Sequence, residues 1–378
     1  MNICIITEFF PHSDKLDIKG GVEVCAYNEA TELSKYHNIT ILTSKDEQMD
    51  EFDIGNIHII GCGDKHSYVQ KGSFTNRLKF MKDAYDKGKQ LEDIDLIIGY
   101  NFITYPIAQR IGKKLNIPVA SRYHDVWVGK WVENIGVSGL FGEVLERYVL
   151  RNKMDLYVCV SDYTKNNLLK YVKNTKIETV HNMVDFPIVE SDPYTNPTIS
   201  CVARLVDYKR VEDLIRAVNI VKETIPNIQC KIIGTGPLED ELKSLTKSLD
   251  LDDNVEFLGF VEEHDDVMKV VNSSDIFCLP SIVEGFGIVI IEAQSLRTPF
   301  IAAEIPPVVE SSGQKGGLFF KPRDYEDLSR QILRLLEDKQ LYKQLQEEGF
   351  ENTNNYTHKV IGEKLNNLYT NLIKDKDK

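Results

Sequence analysis

Three observations predict an α/β protein of two Rossmann-like, doubly wound domains facing a central cleft. Short, almost wholly apolar runs recur along the 378 residues, and amphipathic stretches of helical length separate them. The alternation stops once, at FPIVESDPYTNPT (186–198), and then restarts. The length agrees, because one core seldom grows to this size and two smaller domains are expected instead.

In chain order, strands are expected at Ile3–Thr7, Ile39–Thr43, Ile57–Ile60, Leu96–Ile98, Val119–Arg122, Leu156–Val160 and Ile177–Val180. Several are apolar throughout, as strands are when helices cover both faces of a parallel sheet. Between the first two, Val22, Cys25, Ala26, Ala30 and Leu33 fall on one helical face. After the proline-bearing linker come strand Ile199–Ala203, helix Val211–Thr224, strand Cys230–Ile233 and helix Leu238–Leu249. Strand Val255–Leu258, helix Asp265–Val271, strand Ile276–Leu279 and helix Ile288–Leu296 follow. Strands Phe300–Ala302 and Gly317–Phe319 and two more helices, around Tyr325–Leu336 and Leu341–Glu348, complete the second series. The expected domains are 1–188 and 196–355, with a helix in 356–378 crossing back to the first.

Formal net charge is −13, which disfavours nucleic acid as a partner. The charge is uneven: residues 1–190 hold 23 basic and 26 acidic side chains, the remainder 22 and 32. An anionic partner is therefore expected on the first half or in a local basic pocket of the second. Seven cysteines form no C-x-x-C pair, which reads as buried thiols in a reducing, cytoplasmic compartment. The start, MNICIITEFF, has no basic segment and reaches Glu8 early, so a signal peptide is not expected. No apolar run has the length of a membrane span.

Chemistry-bearing residues gather after three strands of the second series. ARLVDYKR puts Arg204 and Lys209 beyond one strand, and GTGP puts Gly234 and Gly236 beyond the next. EGFGIVIIE, beyond a third, carries Glu284, Gly285, Phe286, Gly287, Ile288 and Glu292. Glycine turns at helix N-termini leave backbone N–H groups open to an anion, and two cations beside them complement a diphosphate. Carboxylates are unwelcome against phosphate, so Glu284 and Glu292 are expected to accept hydrogen bonds from sugar hydroxyls, Glu292 from a ribose and Glu284 from a hexose. The histidines lack metal spacing, and the one D-x-D beside an expected strand, Asp93-Ile94-Asp95, precedes that strand and does not follow it. No metal site and no resident cofactor are expected.

Taken together, ARLVDYKR, GTGP, FLGFV and EGFGIVIIE resemble the second half of the retaining GT-B glycosyltransferases of family 4. The first half is similar too, through FFP…GGVEV (Phe9 to Val24), YHD (Tyr123–Asp125), LYVCVSDYTKNNL and VHNMVDF. The resemblance implies a retaining, metal-independent hexosyltransferase that uses a nucleotide-diphosphate sugar as co-substrate. It also implies that Gly20 and Gly21 approach the donor and that His124 lies near the transferred sugar. The implied acceptor is a sugar, a glycan or a lipid-linked molecule. The family often has glycine where this chain has Ala203 and Arg210, and Arg210 adds a cation able to tighten or redirect the phosphate contact. A sugar-nucleotide epimerase on the same fold and a non-catalytic nucleotide-sugar binder are the alternative readings. The basic, aromatic stretch Tyr68–Gln90 suggests contact with an anionic acceptor or membrane surface. Trp127 and Trp131, which follow His124, are expected on the acceptor side or in a packed helix.

Overall fold

The structure, a computed structural model, describes residues 1–11, 21–45, 50–64, 74–186 and 188–376. They form two compact units, Met1–Met183 with His358–Lys378, and Val184–Thr357. Gly20, and residues 65–73 of the basic stretch, lie outside the described residues.

The first unit runs β1 (Asn2–Ile6), α1 (Gly21–Leu33), β2 (Asn38–Ser44), β3 (Glu51–Ile54), β4 (Ile57–Cys62), α2 (Phe74–Gly88) and β5 (Leu96–Gly99). It continues with α3 (Tyr105–Leu115), β6 (Val119–Tyr123), α4 (Trp131–Ile135), α5 (Gly139–Arg151), β7 (Leu156–Cys159), α6 (Asp162–Leu168) and β8 (Lys176–Thr179). The sheet order is β3-β4-β2-β1-β5-β6-β7-β8, and only β3 is antiparallel to its neighbour. Strands β5, β6 and β7 are buried along their whole length, because helices cover both faces. β3 was not among the expected strands. Its residues, EFDI, are half exposed at the sheet edge, and Gly55, at φ +56°, turns them into β4.

The second unit runs β9 (Thr198–Val202), α7 (Val211–Lys222), β10 (Gln229–Ile233), α8 (Glu239–Ser248), β11 (Val255–Gly259), α9 (His264–Ser273) and β12 (Ile276–Leu279). Then come α10 (Ile288–Ser295), β13 (Phe300–Ala303), α11 (Pro306–Ser312), β14 (Gly317–Phe320), α12 (Tyr325–Glu337) and α13 (Lys339–Thr353). Its six strands are parallel, in the order β11-β10-β9-β12-β13-β14. Strand order reverses between β9 and β12, so the loops after these two strands flank the switch point where open α/β sheets bind ligands. The expected linker is not free chain. Tyr194 N donates to Ser273 O at 3.0 Å and Ser191 Oγ to Lys269 O at 3.2 Å, docking it on α9.

α14 (His358–Lys376) belongs to the first unit. Its Ile361, Leu365 and Tyr369 are wholly buried and share a core with Ala26 and Ala30 of α1, Ile3 of β1 and Ile98 of β5. Among the described residues no helix is long and apolar enough to cross a membrane. All seven cysteines are buried free thiols.

Candidate active site

In the second unit the loop after β9 is held by backbone bonds to its neighbours. Ala203 N donates to Ile233 O at 3.0 Å, Leu205 N to Thr235 O at 3.0 Å and Leu238 N to Leu205 O at 3.1 Å. This close approach explains the two glycines of GTGP. A Cβ on Gly234 would stand 2.0 Å from Ala203 O, and one on Gly236 would stand 2.3 Å from Leu205 O. Gly234 also has φ +127°, and its N–H donates to Gly259 O at 2.7 Å. Its N–H is therefore already engaged, and its role is to let the ARLV backbone pass.

That loop carries Arg204 and Lys209. The Arg204 side chain is exposed and makes no ion pair with a described residue. Lys209 is fixed: its Nζ donates to Glu284 Oε1 at 2.5 Å, with 18% and 14% of the two side chains exposed. A backbone bond from Ile282 N to Tyr208 O, 2.9 Å long, ties the same loop to the one after β12. Lys209 and Glu284, 75 residues apart, thus meet at the switch point. Arg210 does not join them. It has φ +52°, where glycine would be unstrained, and its guanidinium bonds both oxygens of the buried Asp213 at 3.0 and 2.9 Å. Asp207 and Glu212 also pair with it. The cation expected on phosphate is neutralised at the start of α7.

Gly287, at φ +90°, caps α10, whose N-terminus follows Glu284. Gly285 lies two residues before it, and Ile288 is the first residue of the helix. Phe286 is 3% exposed and meets Tyr356 edge-on at 5.6 Å, so its ring packs inward beneath the turn. Glu292, on the second turn of α10, faces the first residue of α9: His264 Nε2 lies 3.3 Å from Glu292 Oε1. No pattern in the sequence signals this pair, because 28 residues separate the partners and the fold alone brings them together.

In the first unit Gly21 opens α1, and a Cβ there would meet nothing within 4 Å. Among the described residues, no packing requires glycine at that position. His124 follows β6. Its Nε2 is buried and has no hydrogen-bond partner among the described residues, and its ring lies 6.3 Å from that of Tyr100. Burial, followed by the nearby Arg122 charge, depresses its pKa to about 3, so the imidazole is neutral at physiological pH.

Arg122 itself, unmarked in the sequence reading, is the largest wholly buried side chain. Its Nε donates to Glu29 Oε1 at 2.7 Å, while its other nitrogens donate to Val180 O at 2.6 Å, His181 O at 3.0 Å and Asn182 Oδ1 at 3.2 Å. Tyr100 Oη closes the cluster on the second Glu29 oxygen. A second buried carboxyl, Glu146, anchors the tryptophans. It accepts from Trp131 Nε1 at 2.6 Å and Tyr123 Oη at 2.9 Å, and burial pushes its pKa up to about 7.

The basic stretch is less free than its sequence suggests. On and beside α2, Arg77 pairs with Glu8, Lys79 with Asp64, Lys87 with Asp83 and Lys89 with Asp86. The exposed apolar face lies elsewhere, on Val137, Leu140, Val144 and Tyr148 of α5 and the turn before it, which are 79%, 55%, 68% and 43% exposed.

Residues 188–352 match the family described as glycosyl transferases group 1, and residues 19–186 match glycosyltransferase family 4. A GDP-mannose-dependent monoacylated alpha-(1-6)-phosphatidylinositol monomannoside mannosyltransferase of Corynebacterium glutamicum is 35% identical over 151 residues, 38% of this chain and 39% of that protein. The chain spans about two fifths of the length of the first curated relatives it matches. Sucrose-phosphate synthase from Thermosynechococcus elongatus superposes with a TM-score of 0.82 at 19% identity, covering 99% of each chain. HepE from Anabaena, solved in complex with UDP and glucose, superposes with a TM-score of 0.76 at 16% identity, covering 98% of this chain and 100% of its own.

Proposed function

The chain belongs to the GT-B glycosyltransferases of group 1 and family 4, and on that premise we propose that it transfers a hexose from a nucleotide-diphosphate sugar, with retention and without a metal. The observation that carries this reading is the meeting of Lys209 with Glu284 at the β9–β12 switch point, beside exposed Arg204 and the α10 N-terminus. An incoming diphosphate competes with Glu284 for Lys209. Arg204, Lys209 and the N-terminal end of α10 then stabilise charge as it grows on the leaving group. Glu284, released from Lys209, accepts from hexose hydroxyls, and Glu292 accepts from the ribose.

His124, neutral and depressed to about pKa 3, is a weak base. It serves as a hydrogen-bonding group for the transferred sugar. The acceptor proton passes instead to the departing phosphate oxygen, on the face the diphosphate leaves. Beyond the nucleotide sugar and the acceptor, this chemistry requires no cofactor.

We assign the acceptor, a sugar, a glycan or a lipid-linked molecule, to the first unit, and the enzyme to the cytoplasm. Peripheral contact with an anionic membrane fits α5 better than α2. Arg151 at the C-terminal end of α5 and Lys153 just beyond it are exposed and make no ion pair with a described residue.

Thermal shift against UDP-, GDP- and ADP-sugars, wild type beside Lys209→Ala, tests the donor site. One donor should raise the midpoint by several degrees in wild type and not in the variant. A sugar altered with no acceptor present would favour the epimerase reading. The anomeric configuration of the product, read by NMR, tests retention.

A further inference from the structure

His264 opens α9 and reaches Glu292 on α10 at 3.3 Å, with its own side chain 57% exposed. The charged groups acting on the imidazole are all acidic. Glu292 is the strongest, and Asp265 of α9 and Asp185, just after the start of the unit, add to it. Together they raise the His264 pKa against the opposing effect of burial.

The charge balance of the nucleotide site gives this pair a role. Arg204 and Lys209 bring two positive charges to the switch point, and Glu284 and Glu292 bring two negative ones. Without His264 these four side chains sum to zero, a poor match for the two negative charges of a nucleotide sugar. An imidazolium at His264 tips the balance to positive. It also fixes one oxygen of Glu292 and leaves the other to accept from the ribose.

We propose that His264 is a proton-linked positioning residue of the donor site, holding Glu292 for the ribose and offsetting its charge toward the diphosphate. The inference rests on the reading of Glu292 as the ribose acceptor. Its sign follows directly. Donor binds the imidazolium form more tightly, so binding takes up a proton. Affinity is highest below the His264 pKa and falls as pH rises through it. One unit charge several ångströms from a diphosphate in a partly exposed site changes affinity by roughly three- to tenfold.

The test is calorimetric titration with UDP-glucose, UDP-N-acetylglucosamine, GDP-mannose and ADP-glucose at pH 6 and pH 8.5, on wild type and His264→Gln. Diesterified donors are used because their phosphates do not titrate in this range. The expected result is that wild-type affinity for the preferred donor drops three- to tenfold across the range. His264→Gln, which keeps a neutral donor beside Glu292, should show no drop and should match wild type at pH 8.5. In NMR of the free protein, the His264 ring should titrate above its ordinary value and move down in Glu292→Gln. A flat wild-type profile, or the same slope in His264→Gln, overturns the inference while leaving the donor site in place. Failure of all four donors to bind at either pH overturns the reading of this site as their donor site, and the inference with it.

Discussion

Arg122→Met removes a wholly buried guanidinium and keeps most of its volume. Four hydrogen bonds go with it, to Glu29, Val180 O, His181 O and Asn182. Glu29, 0% exposed, retains only the Tyr100 hydroxyl from that cluster. Breaking a buried ion pair from one side costs about 3–5 kcal/mol, because the remaining charge stays out of water without compensation. The first unit holds about 200 residues, a size at which each kcal/mol moves the midpoint by roughly 2–4 °C. The expected loss is therefore roughly 6–20 °C. Both tryptophans of the chain, Trp127 and Trp131, lie in this unit, so their fluorescence during urea unfolding reports on it alone. Adding Glu29→Leu should recover half or more of the loss, since an apolar pair does not carry the desolvation cost. A single-variant loss under about 1 kcal/mol would refute the reasoning, as would a double variant no better than the single.

Gly234→Ala should destabilise the second unit by over about 2 kcal/mol and abolish the donor-induced thermal shift, because the new Cβ would displace the loop carrying Arg204. Truncation after Thr357 removes the buried Ile361, Leu365, Tyr369 and Leu372. At about 1.5–3 kcal/mol each, this should unfold the first unit, measured as loss of near-ultraviolet circular dichroism. Leu140→Ser with Val144→Ser should abolish co-sedimentation with phosphatidylglycerol vesicles at low salt and leave the melting temperature unchanged. Retained sedimentation would refer membrane contact to another surface.

The regular parts of both sheets were legible because buried parallel strands are written as apolar runs, as in NICII and LYVC. β3 was not, since EFDI at a half-exposed edge carries no such run. Arg204, Lys209, Glu284 and Glu292 could be singled out as candidates because each lies beyond a strand end, and strand ends of one parallel sheet share an edge. Their pairing could not be read. Lys209 with Glu284, and Glu292 with His264, depend on which loops the strand order places side by side. Arg122 was illegible for the opposite reason. A charge at the end of a strand reads as exposed, and only Glu29 and three acceptors beyond β8 make its burial tolerable. Arg210 shows the converse error: a cation next to Lys209 looked available until Asp207, Glu212 and Asp213 were seen around it.

The division of the chain has a consequence for its synthesis. The second unit is one continuous stretch, whereas the first needs both ends of the polypeptide. At a translation rate of about 10 residues per second, roughly 17 seconds separate the emergence of Met183 from that of His358. Throughout that interval the nascent first unit presents the apolar groove that Ile361, Leu365 and Tyr369 later fill. The second unit is begun later than the first and yet is complete in sequence before it, so it can finish folding while the first still lacks α14. An expression host short of chaperones that shield nascent apolar surface will accumulate chains whose second half is native and whose first half is not.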